Sequence, residues 1–181
     1  MTEQLETPRL LLRKAREGGL DAVFRNVWSD EALAATMLWQ PTLDRDGAVD
    51  RLRRTAAYQA QYPAFFVALR DTDEVIGFAG VREAESGVYE ESGIAIARAH
   101  QKKGYGREVL DALLRLVLRE LGGEAFRYGC FSDNLPSRKL CLSAGFRYES
   151  TEEITRPWDE AVFSVDFFRL TRADYQGENE Q

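Results

Sequence analysis

The stretch from Gly104 to Leu121 constrains the fold of this chain more than any other. Val109, Leu110, Leu113, Leu114, Val117, Leu118 and Leu121 recur three and four residues apart, which makes one broad apolar helix face. Arg107, Glu108, Asp111, Arg115 and Arg119 take the opposite side, and Gly122–Gly123 supplies a helix stop. The apolar runs Glu91–Ala97 before it and Phe126–Phe131 after it read as strands. A helical crossover of this length joins parallel strands. The chain must therefore hold at least one parallel pair.

The remaining segments read as short alternating elements. Leu10–Lys14 is a first strand, broken by Gly18–Gly19. Asp21 is positioned to cap a helix carrying Val23, Phe24, Val27 and Trp28 on one side. Asp30–Ala35 forms a helical turn, and a second helix runs from Asp44 to Gln61 before Pro63 ends it. Ala64–Leu69 and Val75–Val81 form a hairpin about Asp71-Thr72-Asp73. Glu83–Gly87 is the next turn. Pro136–Ala144 is a shorter helix, and Phe146–Thr155 and Val162–Leu170 are the last strands, joined through 156–159. The expected class is α+β (mixed α/β), with a mixed, mostly antiparallel sheet flanked by helices. The expected domain is single, residues 1–175, with a polar tail at 176–181.

Composition narrows the function. The 181 residues are 44% apolar and 30% charged, ordinary for one globular domain. No run approaches the roughly 20 apolar residues that span a bilayer. Met1–Thr7 is polar, unlike a secretory leader. A cytoplasmic protein without membrane partners is expected. Cys130 and Cys141 lack metal-ligand spacing, and His100 is the only histidine. Neither a disulfide framework nor a metal site is expected, and His100 reads as solvated. The net charge of −6 speaks against a nucleic-acid partner and is compatible with a cationic one.

Chemistry concentrates in Ile94–Gly106, where a strand, a turn and a helix start follow one another. Gly104 and Gly106 let a bulky anion approach the backbone. The first-turn N–H groups of a helix have no internal partner, and the dipole favours phosphate there. Lys102, Lys103 and Arg107 add positive charge. Two phosphate loops are excluded. There is no G-x-x-x-x-G-K-S/T pattern, and Val109 stands where a G-x-G-x-x-G fingerprint needs glycine.

The run Gln101-Lys102-Lys103-Gly104-Tyr105-Gly106 resembles the coenzyme A loop of the GNAT superfamily of N-acetyltransferases: Gln or Arg, two residues, Gly, one residue, then Gly or Ala. The opening Leu5–Arg13, L-E-T-P-R-L-L-L-R, is similar to the start of the branch that holds ribosomal-protein alanine N-acetyltransferases. Asn134-Leu135-Pro136-Ser137 and Ala144-Gly145-Phe146 resemble the family's second coenzyme-contacting helix and its end.

The resemblance implies a GNAT-type fold whose one parallel pair splays to admit coenzyme A, and transfer of acetyl from acetyl-CoA, without a metal, to a primary amine. The acceptor would be a protein N-terminus or a small molecule, attacking directly through a tetrahedral intermediate. The alternative is a non-catalytic acyl-CoA sensor or structural module. The chain would act as a monomer or homodimer. Ile94, Ala95 and Ile96 would pair with the pantetheine arm, Gln101, Lys102, Lys103, Gly104, Tyr105 and Gly106 would hold the pyrophosphate, and Asn134 and Ser137 would contact the coenzyme. Glu91 is the candidate base, with Glu90 on the opposite strand face. Cys141 stands where many members carry a tyrosine acid, and a thiol is a poor donor. Tyr105 and Tyr148 are candidates for the acid by sequence proximity only, and solvent could suffice in its place. Trp39 and Trp158 are candidates for acceptor contact.

Overall fold

The computed structural model describes residues 2–175, so the expected tail at 176–181 lies outside the described residues. The chain forms two compact units. One comprises the chain up to Val81 with Ser92–Val109, the other Arg82–Glu91 with the chain from Leu110 onward. In chain order the elements are β1 (Gln4–Glu6), β2 (Leu10–Arg13), α1 (Leu20–Val23), α2 (Glu31–Ala34), α3 (Arg45–Gln59), β3 (Ala64–Leu69), β4 (Val75–Glu85), β5 (Val88–Ile96), α4 (Tyr105–Arg115), β6 (Ala125–Phe131), α5 (Leu135–Ser143), β7 (Arg147–Thr155) and β8 (Val162–Thr171).

In the first unit β1, β2, β3 and the first part of β4 pair antiparallel in that order. The end of β5 follows β4. Gly77 lets β4 and β5 approach closely. A Cβ there would lie 2.2 Å from the Ala95 carbonyl oxygen, so no other residue fits. The helical side packs Val23, Val27, Trp28, Leu33 and Leu52 on Phe66, Ala68 and Ala95. Trp28 meets Phe66 edge-on at 5.8 Å between ring centroids. Asp30 and Asp44 cap their helices by accepting the Leu33 and Gly47 N–H groups at 3.0 and 2.7 Å.

The expectation that Asp21 caps α1 is corrected. A 3-10 turn at Glu17–Gly19 leads directly into the helix with Gly19 already helical, so no capping position is left at residue 21. Asp21 instead pairs with Arg45.

In the second unit the strand order is β5-β6-β8-β7. The expected parallel pair is present and short, matching Val88, Tyr89 and Glu90 with Ala125, Phe126 and Arg127. β8 pairs antiparallel with both β6 and β7. The expected turn at Glu83–Gly87 is narrower, because β4 runs on to Glu85. The Glu83 carboxylate accepts the Gly87 N–H at 2.9 Å, which lets the chain reverse in two residues. The apolar face of α4 and its wider continuation at Leu116–Glu120 is almost wholly buried through Leu118. Each such Leu stabilises the fold by about 1.5–3 kcal/mol relative to exposure. Among the described residues no helix is long and apolar enough to cross a membrane.

Candidate active site

Ile94, Ala95, Ile96 and the loop Gln101–Gly106 all belong to the first unit. The Ala97 N–H donates to the Ile76 carbonyl at 2.7 Å, so Ala97 faces β4. Strand alternation turns Ala95 the same way and turns the backbone groups of Ile94 and Ile96 to the opposite side. The Ile96 carbonyl accepts from Gln101 Nε2 at 2.9 Å, consistent with that direction. Gln101 therefore ties the loop back to the strand.

The loop is exposed at 101–104. Lys102 and Gly104 both take positive φ, 60° and 85°. Left-handed residues alternating with right-handed ones can turn successive N–H groups toward a common anion. For Lys102 this conformation costs about 1 kcal/mol or more, and Gly104 adopts it freely. The dipole of α4 opens directly behind, at Tyr105.

Two ion pairs pin the ends of this segment. At its start, Arg98 Nε donates to Asp30 at 2.7 Å. At its end, Arg9 Nη1 donates to the Lys103 carbonyl at 2.9 Å, and its guanidinium lies 4.6 Å from the centre of the Tyr105 ring. Arg9 also donates from Nε and from its backbone N–H to Glu108, at 2.7 and 2.8 Å. Thr7 Oγ1 donates to the same carboxylate at 2.6 Å. Burial acts to raise the Glu108 pKa, but the Thr7 and Arg9 hydrogen bonds and the Arg9 charge outweigh it and hold the carboxyl below its usual value. Arg9 and Thr7 were missed as loop residues in the sequence. The signal was the opening Leu5–Arg13 motif, to which no contact was attached. His100 corrects its solvated reading in part: Nδ1 is buried without a partner, and the ring lies 6.3 Å from that of Tyr105.

A cavity of about 520 Å³ also belongs to this unit. Trp39 forms part of its wall, meeting Phe78 edge-on at 6.3 Å. Ser92 and Gly93, just before Ile94, line it as well.

The second unit holds Glu91, Asn134, Ser137, Cys141 and Trp158. Glu90 pairs with Arg82. Glu91 is half-buried, and a Cβ at Gly129 on β6 would lie 3.7 Å from its Oε1. Asn134 caps α5, its Oδ1 accepting the Ser137 N–H at 3.2 Å. Ser137 Oγ lies 2.7 Å from the Tyr128 hydroxyl. Tyr128 was not singled out in the sequence, where it reads as one more large residue of a buried strand. Burial pushes its pKa up strongly, the Ser137 hydrogen bond opposes this, and the Glu91 charge adds to the rise. Cys141 is fully buried and donates to the Arg138 carbonyl at 3.2 Å. Burial pushes its thiol up to about 12, so it stays neutral. Tyr148 is exposed and bonded to Thr151. Trp158 is partly exposed, stacked by Arg156 at 4.2 Å.

The profile described as an acetyltransferase (GNAT) domain matches residues 9–147. An uncharacterized N-acetyltransferase, p20, of Bacillus licheniformis is 29% identical over 97% of this chain and 99% of its own length. Two solved structures share the fold. The ribosomal-protein-S5-alanine acetyltransferase of Vibrio fischeri has a TM-score of 0.75 at 14% identity, over 96% of this chain and 98% of that one. The spermidine N-acetyltransferase of Vibrio cholerae, solved with CoA and spermine, has a TM-score of 0.76 at 18% identity, over 93% and 99%. With a domain match across most of its length, the chain belongs to the GNAT acetyltransferases.

Proposed function

We propose that this chain transfers acetyl from acetyl-CoA to a primary amine by direct attack, with the coenzyme held by Ile94, Ala95, Ile96 and the loop Gln101–Gly106, helped by Asn134 and Ser137. The observation that carries this reading is the loop itself. Its exposed backbone, two left-handed residues and the following helix start form an anion cradle that matches a pyrophosphate. When bound, acetyl-CoA supplies an activated acetyl thioester.

The chain's own groups do the rest. Glu91 takes a proton from the incoming ammonium, directly or through water, leaving the amine neutral for attack. The Ile94 or Ile96 N–H, turned away from β4, donates to the oxygen on which negative charge develops. Cys141 is an unsuitable acid, since its proton is engaged by Arg138 and held to about pH 12. Solvent therefore protonates the departing thiolate.

Thiol release from acetyl-CoA, measured against N-terminal peptides, polyamines, amino acids and aminoglycosides, tests the reading. Turnover with at least one amine is expected. Tight acetyl-CoA binding with no turnover on any class would favour the sensor alternative instead. The absence of binding would remove both.

A further inference from the structure

The cavity beside Trp39 carries a charge pattern opposite to that of the whole molecule. The chain has a net charge of −6, yet no aspartate or glutamate among the described residues lines this cavity, while Arg51 and Arg54 do. The Arg51 guanidinium lies over two indoles, its Cζ 4.9 Å from the Trp28 ring centre and 4.6 Å from that of Trp39. Nη1 donates to the Gln40 carbonyl at 3.2 Å and to Thr42 Oγ1 at 3.0 Å. These contacts fix the plane of the guanidinium. No carboxylate among the described residues pairs with Arg51, and its Nε and Nη2 have no protein acceptor there. Burial and the neighbouring Arg54 charge push its pKa down to about 10, the response expected of a cation lacking a counter-ion.

A desolvated guanidinium without an anion is costly, and a planar carboxylate is the partner its fork fits best. Trp39 also forms part of this wall, with its Nε1 buried and without a partner among the described residues. Around these donors the wall is aromatic, from Trp28, Phe65, Phe78 and Tyr58. A polyamine entering here would meet two like charges, which costs on the order of several kcal/mol at contact distances. The cavity volume lies in the range of roughly 300–1,000 Å³ that suits small molecules.

We propose that the acceptor is an amine that also carries a carboxylate, an amino-acid-type molecule with an apolar or aromatic body, and that Arg51 with Arg54 receives that carboxylate. This rests on the acetyltransferase reading, and it places the amine toward Ser92 and Gly93, the part of the wall adjoining Ile94. The amine nitrogen bonds to the acetyl carbonyl carbon, the carbon–sulfur bond breaks, and the amine's proton and the sulfur's electron pair leave as coenzyme thiol. No redox partner is needed.

The test sets each of a panel of amino acids against its decarboxylated amine, L-phenylalanine against phenethylamine among them, with spermidine and dipeptides alongside. Thiol release and calorimetric binding in the presence of coenzyme A are both read. The carboxylate-bearing partner should exceed its decarboxylated amine in kcat/KM by about 10- to 100-fold, the value of a charged hydrogen bond. Arg51→Gln should erase that preference, and Arg54→Gln, at an exposed position, should reduce it without a folding cost. Dipeptide turnover above that of free amino acids would identify a peptide end as the source of the carboxylate. Equal or better use of amines without a carboxylate, or failure of every carboxylate to bind or react while acetyl-CoA binds, overturns this proposal alone. Failure of acetyl-CoA itself to bind overturns the acetyltransferase reading beneath it.

Discussion

Arg9 holds Glu108 twice, through its backbone N–H at 2.8 Å and its Nε–H at 2.7 Å. The same guanidinium reaches the Lys103 carbonyl, so the N-terminal strand pair and the first turn of α4 grip the loop between them. Arg9→Ala should therefore weaken acetyl-CoA binding by roughly 10-fold, through loss of a charge-assisted bond that orders the loop. The turnover rate at saturating coenzyme should change little. Calorimetry and steady-state kinetics on one preparation check this. Unchanged affinity would mean that the loop holds its shape without the clamp.

Glu91→Gln removes the proposed proton acceptor and keeps the shape of the side chain. Turnover should fall by about 10²- to 10⁴-fold, with acetyl-CoA affinity nearly unchanged. Wild-type activity in the variant would take Glu91 out of the mechanism.

Asp166 is buried and accepts from Ser132 and Thr151, each at 2.7 Å, and it pairs with Arg138. Burial acts to raise its pKa, but these hydrogen bonds and the Arg138 charge bring it below the ordinary value. A depressed folded pKa contributes stability that is fully present above the unfolded value of about 3.9 and is lost as pH falls through the folded one. The wild-type melting temperature should therefore drop below about pH 4. Asp166→Asn should cost about 3 kcal/mol at pH 7 and show a flatter acid limb. Identical acid limbs in the two proteins would place the acid sensitivity elsewhere.

Cys141→Ala should leave the pH dependence of turnover unchanged between pH 6 and 9, because a thiol pushed up to about 12 does not ionise there. The buried sulfur should cost about 1 kcal/mol of stability. Loss of an alkaline limb in the variant would instead make Cys141 the acid.

Elements with a strong apolar period were legible in the sequence. Ala64–Leu69 has the bounds expected of it, and the long helix enforced the parallel ladder of Val88–Glu90 with Ala125–Arg127. β1 escaped notice because three residues with one buried leucine make no period. Asp21 looked like a cap because a local rule cannot see that the preceding turn is already helical.

The candidate site is marked in the sequence where backbone would carry it and is obscure where distant side chains would. The loop's glycines mark its position directly. The partners of Arg9 lie more than ninety residues along the chain, so no window contains them. Glu90 and Glu91 are equivalent in sequence, and the pairing of Glu90 with Arg82 lies outside any local pattern. The cationic wall formed by Arg51 and Arg54 was hidden in the exposed pattern of a helix, because only the fold sets it against Trp28 and Trp39.

Gln101–Gly106 is proposed to hold acetyl-CoA through its backbone. Gly104 has φ of 85°, and a Cβ there would also lie 3.2 Å from Arg9 Nη2. Calorimetric titration of acetyl-CoA into the wild-type protein and into Gly104→Val, with folding of both checked by circular dichroism, measures the claim directly. Saturable binding to the wild type and none to the folded variant is the predicted result. Equal binding to both would contradict it.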